Sequence, residues 1–483
     1  MEMSRLPTIT VQPGDHYFSV DGRQSVLFTR NLAGVQRSDY DPMLDWMAKA
    51  GSRVARVGLD NMVMGGVPGH YGYGFDGSGN IVAEWDQNWR DLFQRAASRG
   101  IYVLPVFTGW ANWNPPEPGT ENGWTHNPFN DGSRDPADLF KRGTYIHDTW
   151  LGWLANVVGK WGAIGNILAW EVYSEANLTL VSASPDVYVP EAAARSFVEA
   201  AAQAVRGADP AGRPITASLG GGNTNPWFDF YKSPSLDFIQ IHPYEPGGNL
   251  DTDILRMIRQ NRTDYGKPVL IGESGLCAAE PMNASGGQTT LTTAPRAAIG
   301  IKHAIWAGML SGAMNARALF WEDSFGIYFP PLGWPFLQKY ADMEEGAAQF
   351  IKGLDLAKFE PLPISGLLPP TLVGALLGSW DVLLGWLREP GCVPPDWPVA
   401  RPVVKKRPMF TIPLPTSAKI TCQVDFYDTS TGKIIGATTV SSSGSGSRNG
   451  LTIPLPDLPW AGGTGDIAFK AIRKTTVPWP FGR

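Results

Sequence analysis

Residues 166–176 read Asn-Ile-Leu-Ala-Trp-Glu-Val-Tyr-Ser-Glu-Ala, an apolar run that ends in two carboxylic acids, Glu171 and Glu175. Short apolar runs of this kind suit strands of a parallel sheet, which are buried on both faces. Residues 268–275, Pro-Val-Leu-Ile-Gly-Glu-Ser-Gly, have the same form and bring Glu273 to the end of their run. Working outward, similar runs fall near residues 26–33, 53–59, 101–107, 214–219, 237–242 and 316–321. Between them lie segments with the 3.6-residue period of amphipathic helices, at 42–50, 88–99, 138–160, 190–206, 251–265 and 294–312. The connection over 225–235 is short and contains Pro226, so its helix is the weakest of the series. Gly51, Gly100, Gly207 and Gly266 follow helical segments, where a left-handed residue commonly ends the helix.

Eight strands alternating with helices predict an α/β fold, with a closed (β/α)8 TIM barrel as the economical arrangement. An open doubly wound sheet would call for a Gly-rich phosphate turn early in the chain, and the sequence has none there. After about residue 353 the texture changes. Pro361, Pro363, Pro369, Pro370, Pro394, Pro395 and Pro398 separate short alternating runs such as 419–427 and 434–440, and 441–447 is a Gly/Ser turn. This predicts a barrel over 1–353 followed by a small antiparallel β-sandwich over 354–483.

Composition narrows the function. The 483 residues are 43% apolar, ample for a large core, and carry a formal net charge of −5. No basic stripe of the kind that binds nucleic acid is present, and no apolar stretch is long enough to span a bilayer. The first 13 residues lack the layout of a secretory signal, so the expectation is a cytoplasmic protein or one whose signal has been removed. Cys277, Cys392 and Cys422 are too scattered for a metal cluster and allow at most one bridge, with Cys392–Cys422 the pair to consider. No partner spacing supports a metal at His16 or His126, and neither metal nor cofactor is expected. Nineteen tryptophans suit a sugar-binding cleft, since indole rings stack on the C–H faces of sugars, although aromatic rings also dominate cores.

In a barrel of this kind the active site lies at the C-terminal ends of the strands. Glu175 ends the fourth strand and Glu273 the seventh, on opposite sides of the barrel. Glycoside hydrolysis needs such a pair: an acid to protonate the leaving oxygen and a carboxylate at the anomeric carbon. At a separation of about 5–5.5 Å the second carboxylate attacks directly and configuration is retained. Glu171, whose side chain points away from Glu175, is expected to be buried and hydrogen-bonded.

From about Tyr17 to Ile351 the chain resembles glycoside hydrolases of clan A, most closely the cellulases and mannanases of family 5. Phe18-Ser-Val-Asp-Gly-Arg23 and Arg30-Asn-Leu-Ala-Gly34 are similar to that family's first hairpin and first strand. The resemblance implies that Arg56 hydrogen-bonds the nucleophile and keeps it ionised. Trp170-Glu-Val-Tyr-Ser-Glu175 resembles the acid/base motif, which gives Glu175 that role, and Gly272-Glu273 resembles the nucleophile motif. His242-Pro-Tyr244 matches a pair whose Tyr binds the nucleophile and whose His frames the acid/base, and Trp321 stands where the family places a sugar-stacking Trp. One departure is Ser174, where the family has an Asn that binds the sugar 2-hydroxyl. The expectation there is a contact that is weakened, bridged by water or turned elsewhere.

Trp110, Trp113 and Asn114, in the loop after the third strand, are candidate substrate contacts together with Ser174. The insertion over 115–135, with Trp124 and His126, is expected to wall the cleft. Asn61, Glu245, Glu322 and Asp323 lie just beyond strand ends and are candidates for hydroxyl binding, solvated loops being the default. The C-terminal region resembles accessory β-sandwiches of the clan, with 466–471 as its final strand, and buttressing is favoured over carbohydrate binding. Trp380, Trp386 and Trp460 are then packing residues. The implied activity is retaining, endo-acting hydrolysis of a β-linked polysaccharide such as mannan or glucan. The alternatives are an exo-β-glycosidase or transglycosylase using the same pair, and a non-catalytic carbohydrate-binding barrel.

Overall fold

Parallel strands alternate with helices from Thr29 to Leu310, and an antiparallel region follows. The computed structural model describes residues 6–7, 9–12, 14–32, 40–59, 72–114, 123–183, 186–220, 227, 229–244, 249–275, 294–316, 344–363, 367–390, 409–414, 419–443, 449–456 and 465–474. Trp321, Asn61, Glu245, Glu322, Asp323, Cys277, Cys392, Trp460 and the eighth predicted strand beyond Ala316 lie outside them.

One parallel sheet runs Ile215–Thr216, Trp170–Glu171, Tyr102–Val106, Val54–Gly58, Thr29–Asn31, and a second runs Ser218–Leu219, Ile239–Ile241, Val269–Ile271. Ala217 alone separates Thr216 from Ser218, so one extended run of chain serves both sheets. At the other side, residues 314–316 lie between Val269–Ile271 and the first strand. Met314 N–H donates to Val269 O, Leu27 N–H to Met314 O and Ala316 N–H to Leu27 O. The Asn315 side chain ties the same neighbours together, bonding both backbone groups of Ile271 and the hydroxyl of Thr29.

Strands such as Val54–Gly58 and Tyr102–Val106 are buried along their whole length, which suits their apolar composition, broken only by Arg56. Their two faces feed two different cores. Leu27, Val54, Tyr102, Leu104, Leu168, Phe238, Leu270 and Met314 form one cluster, contributed strand by strand around the sheets. Phe18, from the hairpin Phe18–Val20/Arg23–Ser25, joins this cluster. That hairpin turns on Asp21-Gly22, both at positive φ, the backbone that a tight two-residue hairpin turn needs. The opposite faces pack on α1 (Tyr40–Ala50), α2 (Ala83–Ser98), α3 (Tyr145–Trp161), α4 (Glu191–Ala208), α5 (Leu250–Tyr265) and α6 (Ala294–Leu310). In α2 the buried residues Trp85, Trp89, Leu92, Phe93 and Ala96 recur at the helical period and make the apolar stripe.

Two local expectations change. Gly207 lies inside α4 and does not terminate it, because the helix continues to Ala208; Gly51, Gly100 and Gly266 do sit at positive φ after their helices. The segment expected as one helix over 138–160 is a 3-10 turn, Pro136–Phe140, then α3, which restarts where Thr144 caps His147 N–H.

The C-terminal strands form an antiparallel sheet in the order Glu360–Pro361, Val373–Gly378, Val382–Arg388, Asp466–Arg473, Thr421–Tyr427, Ile434–Ser441. A separate pair, Met409–Pro413 with Gly450–Pro454, shares a core with one face of this sheet through Phe410, Ile412, Leu451 and Ile453. The other face contributes Leu377, Leu384, Trp386 and Ala468 to the cluster that also holds Ile305 and Trp306 of α6. Leu383 and Leu384 thus point into different cores, and the sheet is a middle layer.

A buried polar network crosses this contact. Lys302 of α6 donates to Asp466 at 2.6 Å and to Thr429, Trp386 Nε1 bonds the second Asp466 oxygen, and Arg388 binds Asp251 of α5 through two nitrogens. Burial, the largest effect on His303 beside it, pushes that imidazole down to about 4.

Asp466→Ala strands the Lys302 charge in the interior and should lower the unfolding free energy by about 3–5 kcal/mol in urea titrations. His303 has a folded-state pKa below its ordinary 6.5, so its contribution is complete above pH 6.5 and lost as pH falls toward 4. A His303→Phe variant should therefore show a shallower loss of stability across that window than the wild type.

Candidate active site

Because the strands are parallel, their C-terminal ends share one side of the molecule, and the polar cluster forms there. Arg56 lies within Val54–Gly58 and pairs in register with Leu104, while Glu171 pairs with Val106, two residues further along. The arginine side chain spans that difference. Its Nε and Nη2 donate to the two oxygens of Glu171, both at 2.7 Å, and its Nη1 donates to Glu273 Oε1 at 2.7 Å. Nη2 also donates to Ser174 Oγ at 2.9 Å. All four residues are buried. One guanidinium thereby gathers the ends of the second, fourth and seventh parallel runs.

Each oxygen of the two principal carboxyls has its own partner. Glu273 Oε2 accepts from the Tyr244 hydroxyl at 2.6 Å, opposite the Arg56 bond to Oε1. Glu175 Oε1 lies 2.8 Å from His242 Nδ1, and its Oε2 accepts from Trp110 Nε1 at 2.8 Å. His242 Nδ1 is also 3.6 Å from Glu273 Oε2, so the imidazole stands between the acids. Burial alone would raise the Glu273 carboxyl. The His242 and Arg56 charges, with hydrogen bonds from Tyr244 and Arg56, outweigh it and hold the group below its ordinary range.

Glu175 has a left-handed backbone, with φ 54° and ψ 50°. For a residue with a Cβ this costs about 1–3 kcal/mol, a strain that persists where the surroundings enforce it. Gly272, next to Glu273, has no room for a side chain because the Gln240 carboxamide packs against it.

The donor atoms of Glu175, His242 and Glu273 lie within 4.8 Å of one another, a spacing that invites comparison with a metal site. Tetrahedral ligands about 2.0–2.1 Å from zinc stand about 3.3 Å apart. The 2.8 Å contact between His242 and Glu175 is shorter and fits a direct hydrogen bond.

The structure brings Arg56, Glu175, His242, Tyr244 and Glu273 together, as their strand-end positions imply, and makes Glu171 the buried partner of Arg56. Four candidate sugar contacts are buried among protein partners. Ser174 is fully buried, and its hydroxyl is turned to Arg56. Trp113 is 1% exposed, bonds Thr108 Oγ1 and stacks on Phe129, so it offers a sugar no face. Trp124 is buried against Trp113. Asn114 accepts from Leu180 N–H and donates to Leu178 O, tying two loops together. Trp110 remains half-buried at the site, bonded to Glu175 through its indole edge. Ser218 was not singled out in the sequence: a serine in an inward strand position carries no signal until its neighbours are known.

No protein-family profile matches the sequence, and no curated protein does. Solved structures do match in fold. One described as a glycoside hydrolase superposes with a TM-score of 0.63 at 12% identity, covering 97% of each chain. A glycoside hydrolase family 5 structure from Bacteroides vulgatus gives a TM-score of 0.62 at 13% identity, covering 98% of this chain and 95% of that one. The chain has the fold of family 5 glycoside hydrolases. The match runs almost end to end, so the antiparallel region belongs to the shared fold as much as the parallel strands do.

Tyr244→Phe removes one donor from Glu273 and leaves Arg56 in place. The Glu273 carboxyl should then titrate at higher pH than in the wild type, as read by carbon-13 NMR of the labelled carboxylates.

Proposed function

We propose that the parallel strands close as a (β/α)8 barrel within residues 1–353, and that the chain is a retaining β-glycoside hydrolase with Glu175 as acid/base and Glu273 as nucleophile. The observation that carries this is the pair itself: two strand-end carboxyls with oxygens within 4.8 Å of each other, each held by its own partners. Such closeness suits direct attack, whereas inverting enzymes hold their carboxyls about 6.5–9.5 Å apart to admit a water.

Each contact supports one role. Arg56 and Tyr244 keep Glu273 ionised, as a nucleophile requires. The 2.8 Å hydrogen bond between His242 Nδ1 and Glu175 Oε1 holds the Glu175 carboxyl beside the nucleophile, where an acid/base is needed. In the first step a Glu273 oxygen bonds to the anomeric carbon while the glycosidic C–O bond breaks and Glu175 protonates the departing oxygen. In the second, Glu175 takes a proton from water, whose oxygen displaces Glu273 at the same carbon. Two inversions restore the starting configuration.

The substrate we propose is a β-linked polysaccharide cut internally, with mannan and glucan first in line. Residues 354–483 act as a β-sandwich support, a role favoured by the buried Lys302–Asp466 and Arg388–Asp251 pairs. An exo-acting enzyme or a transglycosylase would use the same pair and give single-sugar or transfer products. A binding protein without activity has little to recommend it while every oxygen of both acids is tethered.

Incubation with an activated 2-deoxy-2-fluoroglycoside should add one glycosyl mass to the peptide carrying Glu273. Proton NMR of the early product should show the anomer of the substrate. Glu175→Gln and Glu273→Gln should each lower kcat by about 10²–10⁴-fold or more on unactivated substrates. An inverted product, or full activity in either variant, would sink the proposal.

A further inference from the structure

Resting on the glycosidase reading, we infer that Ser218 and Gly220, at the end of the strand beside Glu175, are positioning residues that seat the acid/base. Neither has a part in the chemistry above, yet together they hold the turn that carries Glu175. The Ser218 hydroxyl accepts the Glu175 backbone N–H at 3.0 Å and donates its own hydrogen to Glu171 Oε1 at 3.0 Å. Glu171 Oε1 also accepts from Arg56. A hydroxyl has one hydrogen to give, and with a carboxylate taking it the lone pairs are left to the Glu175 amide. The direction of this chain is thereby fixed, from Glu175 N–H through Ser218 to Glu171 and so to the guanidinium that holds Glu273.

Gly220 secures the other side of the turn. Its N–H donates to Asn177 Oδ1 at 2.7 Å, and its carbonyl accepts from Asn177 Nδ2 at 2.8 Å. A Cβ at this position would stand 2.8 Å from Glu175 Cδ and Oε1 and 2.6 Å from Leu178 Cδ1. The absent side chain is the space in which the Glu175 carboxyl lies between His242 and Trp110. Ser218 N–H also bonds Tyr173 O, which locks this strand to the segment just before Glu175. Left-handed backbone at Glu175 is strained, and these contacts from one neighbouring strand fix its orientation.

A misplaced acid slows only those reactions that need its proton, and this separates positioning from general structural damage. For Ser218→Ala, kcat/KM is measured on aryl β-glycosides of the sugar that the wild type prefers, across a series of leaving phenols. The expected result is a loss of ~10²-fold with poor leaving groups, shrinking to within about threefold for a dinitrophenyl glycoside. Ser218→Thr keeps the hydroxyl and should restore the wild-type dependence. If Ser218→Ala proves too unstable to assay, Gly220→Ala decides, since it displaces the same carboxyl and should give the same selective loss. Equal losses across all leaving groups, or none, overturn the inference and leave the glycosidase reading standing. A wild type that cleaves no glycoside in the series, and forms no fluoroglycosyl adduct, overturns both.

Discussion

A guanidinium without access to solvent must be matched by carboxylate charge, and Arg56 is matched twice. Its bidentate bond to Glu171 fixes the plane of the group, leaving Nη1 aimed at Glu273. Removing either acid changes what the other can hold, because the same cation serves both. Glu171 is thereby linked through the shared arginine to the nucleophile candidate. Ser174 and Ser218 complete the polar shell, so the arginine's hydrogens are directed within the protein. In this buried network the low local dielectric makes each bond count for more than it would in water.

The sequence was most legible where chemistry and periodicity coincided. Apolar runs ending in Glu171, Glu175 and Glu273 announced buried parallel strands, and parallel strands bring such ends to one side. The family resemblance, and not the apolar pattern, located Arg56, His242 and Tyr244. It could not tell which oxygen each would hold, since that depends on the two-residue offset between Arg56 and Glu171. Ser174 was read correctly as a departure, but its destination, the arginine, was visible only in three dimensions.

Tryptophan was the least informative signal. Its abundance suggested a sugar cleft, yet nine of the 19 are among the most deeply buried large side chains. Trp85, Trp150, Trp153 and Trp161 pack on one another between helix and strand, and Trp113 and Trp124 do so behind the cleft loop. Composition counts rings without regard to which side of the wall they face. The split of strand residues between two cores was equally hidden, because a strand apolar on both faces reads the same wherever each face packs.

The double-sided burial of the C-terminal sheet bears on how the gene can be handled. Proline breaks near residue 361 look like a convenient place to trim the chain, and the texture of the sequence encourages that cut. Trimming there would strip Leu377, Leu384 and Trp386 from the α6 side and leave Lys302 and Asp251 without their partners. The shortened polypeptide would present a wide greasy surface studded with lone charges, the kind of surface that drives expressed fragments into inclusion bodies. The seam in the sequence is therefore not a seam in the folded object, and recombination or shuffling at this point should carry both halves together.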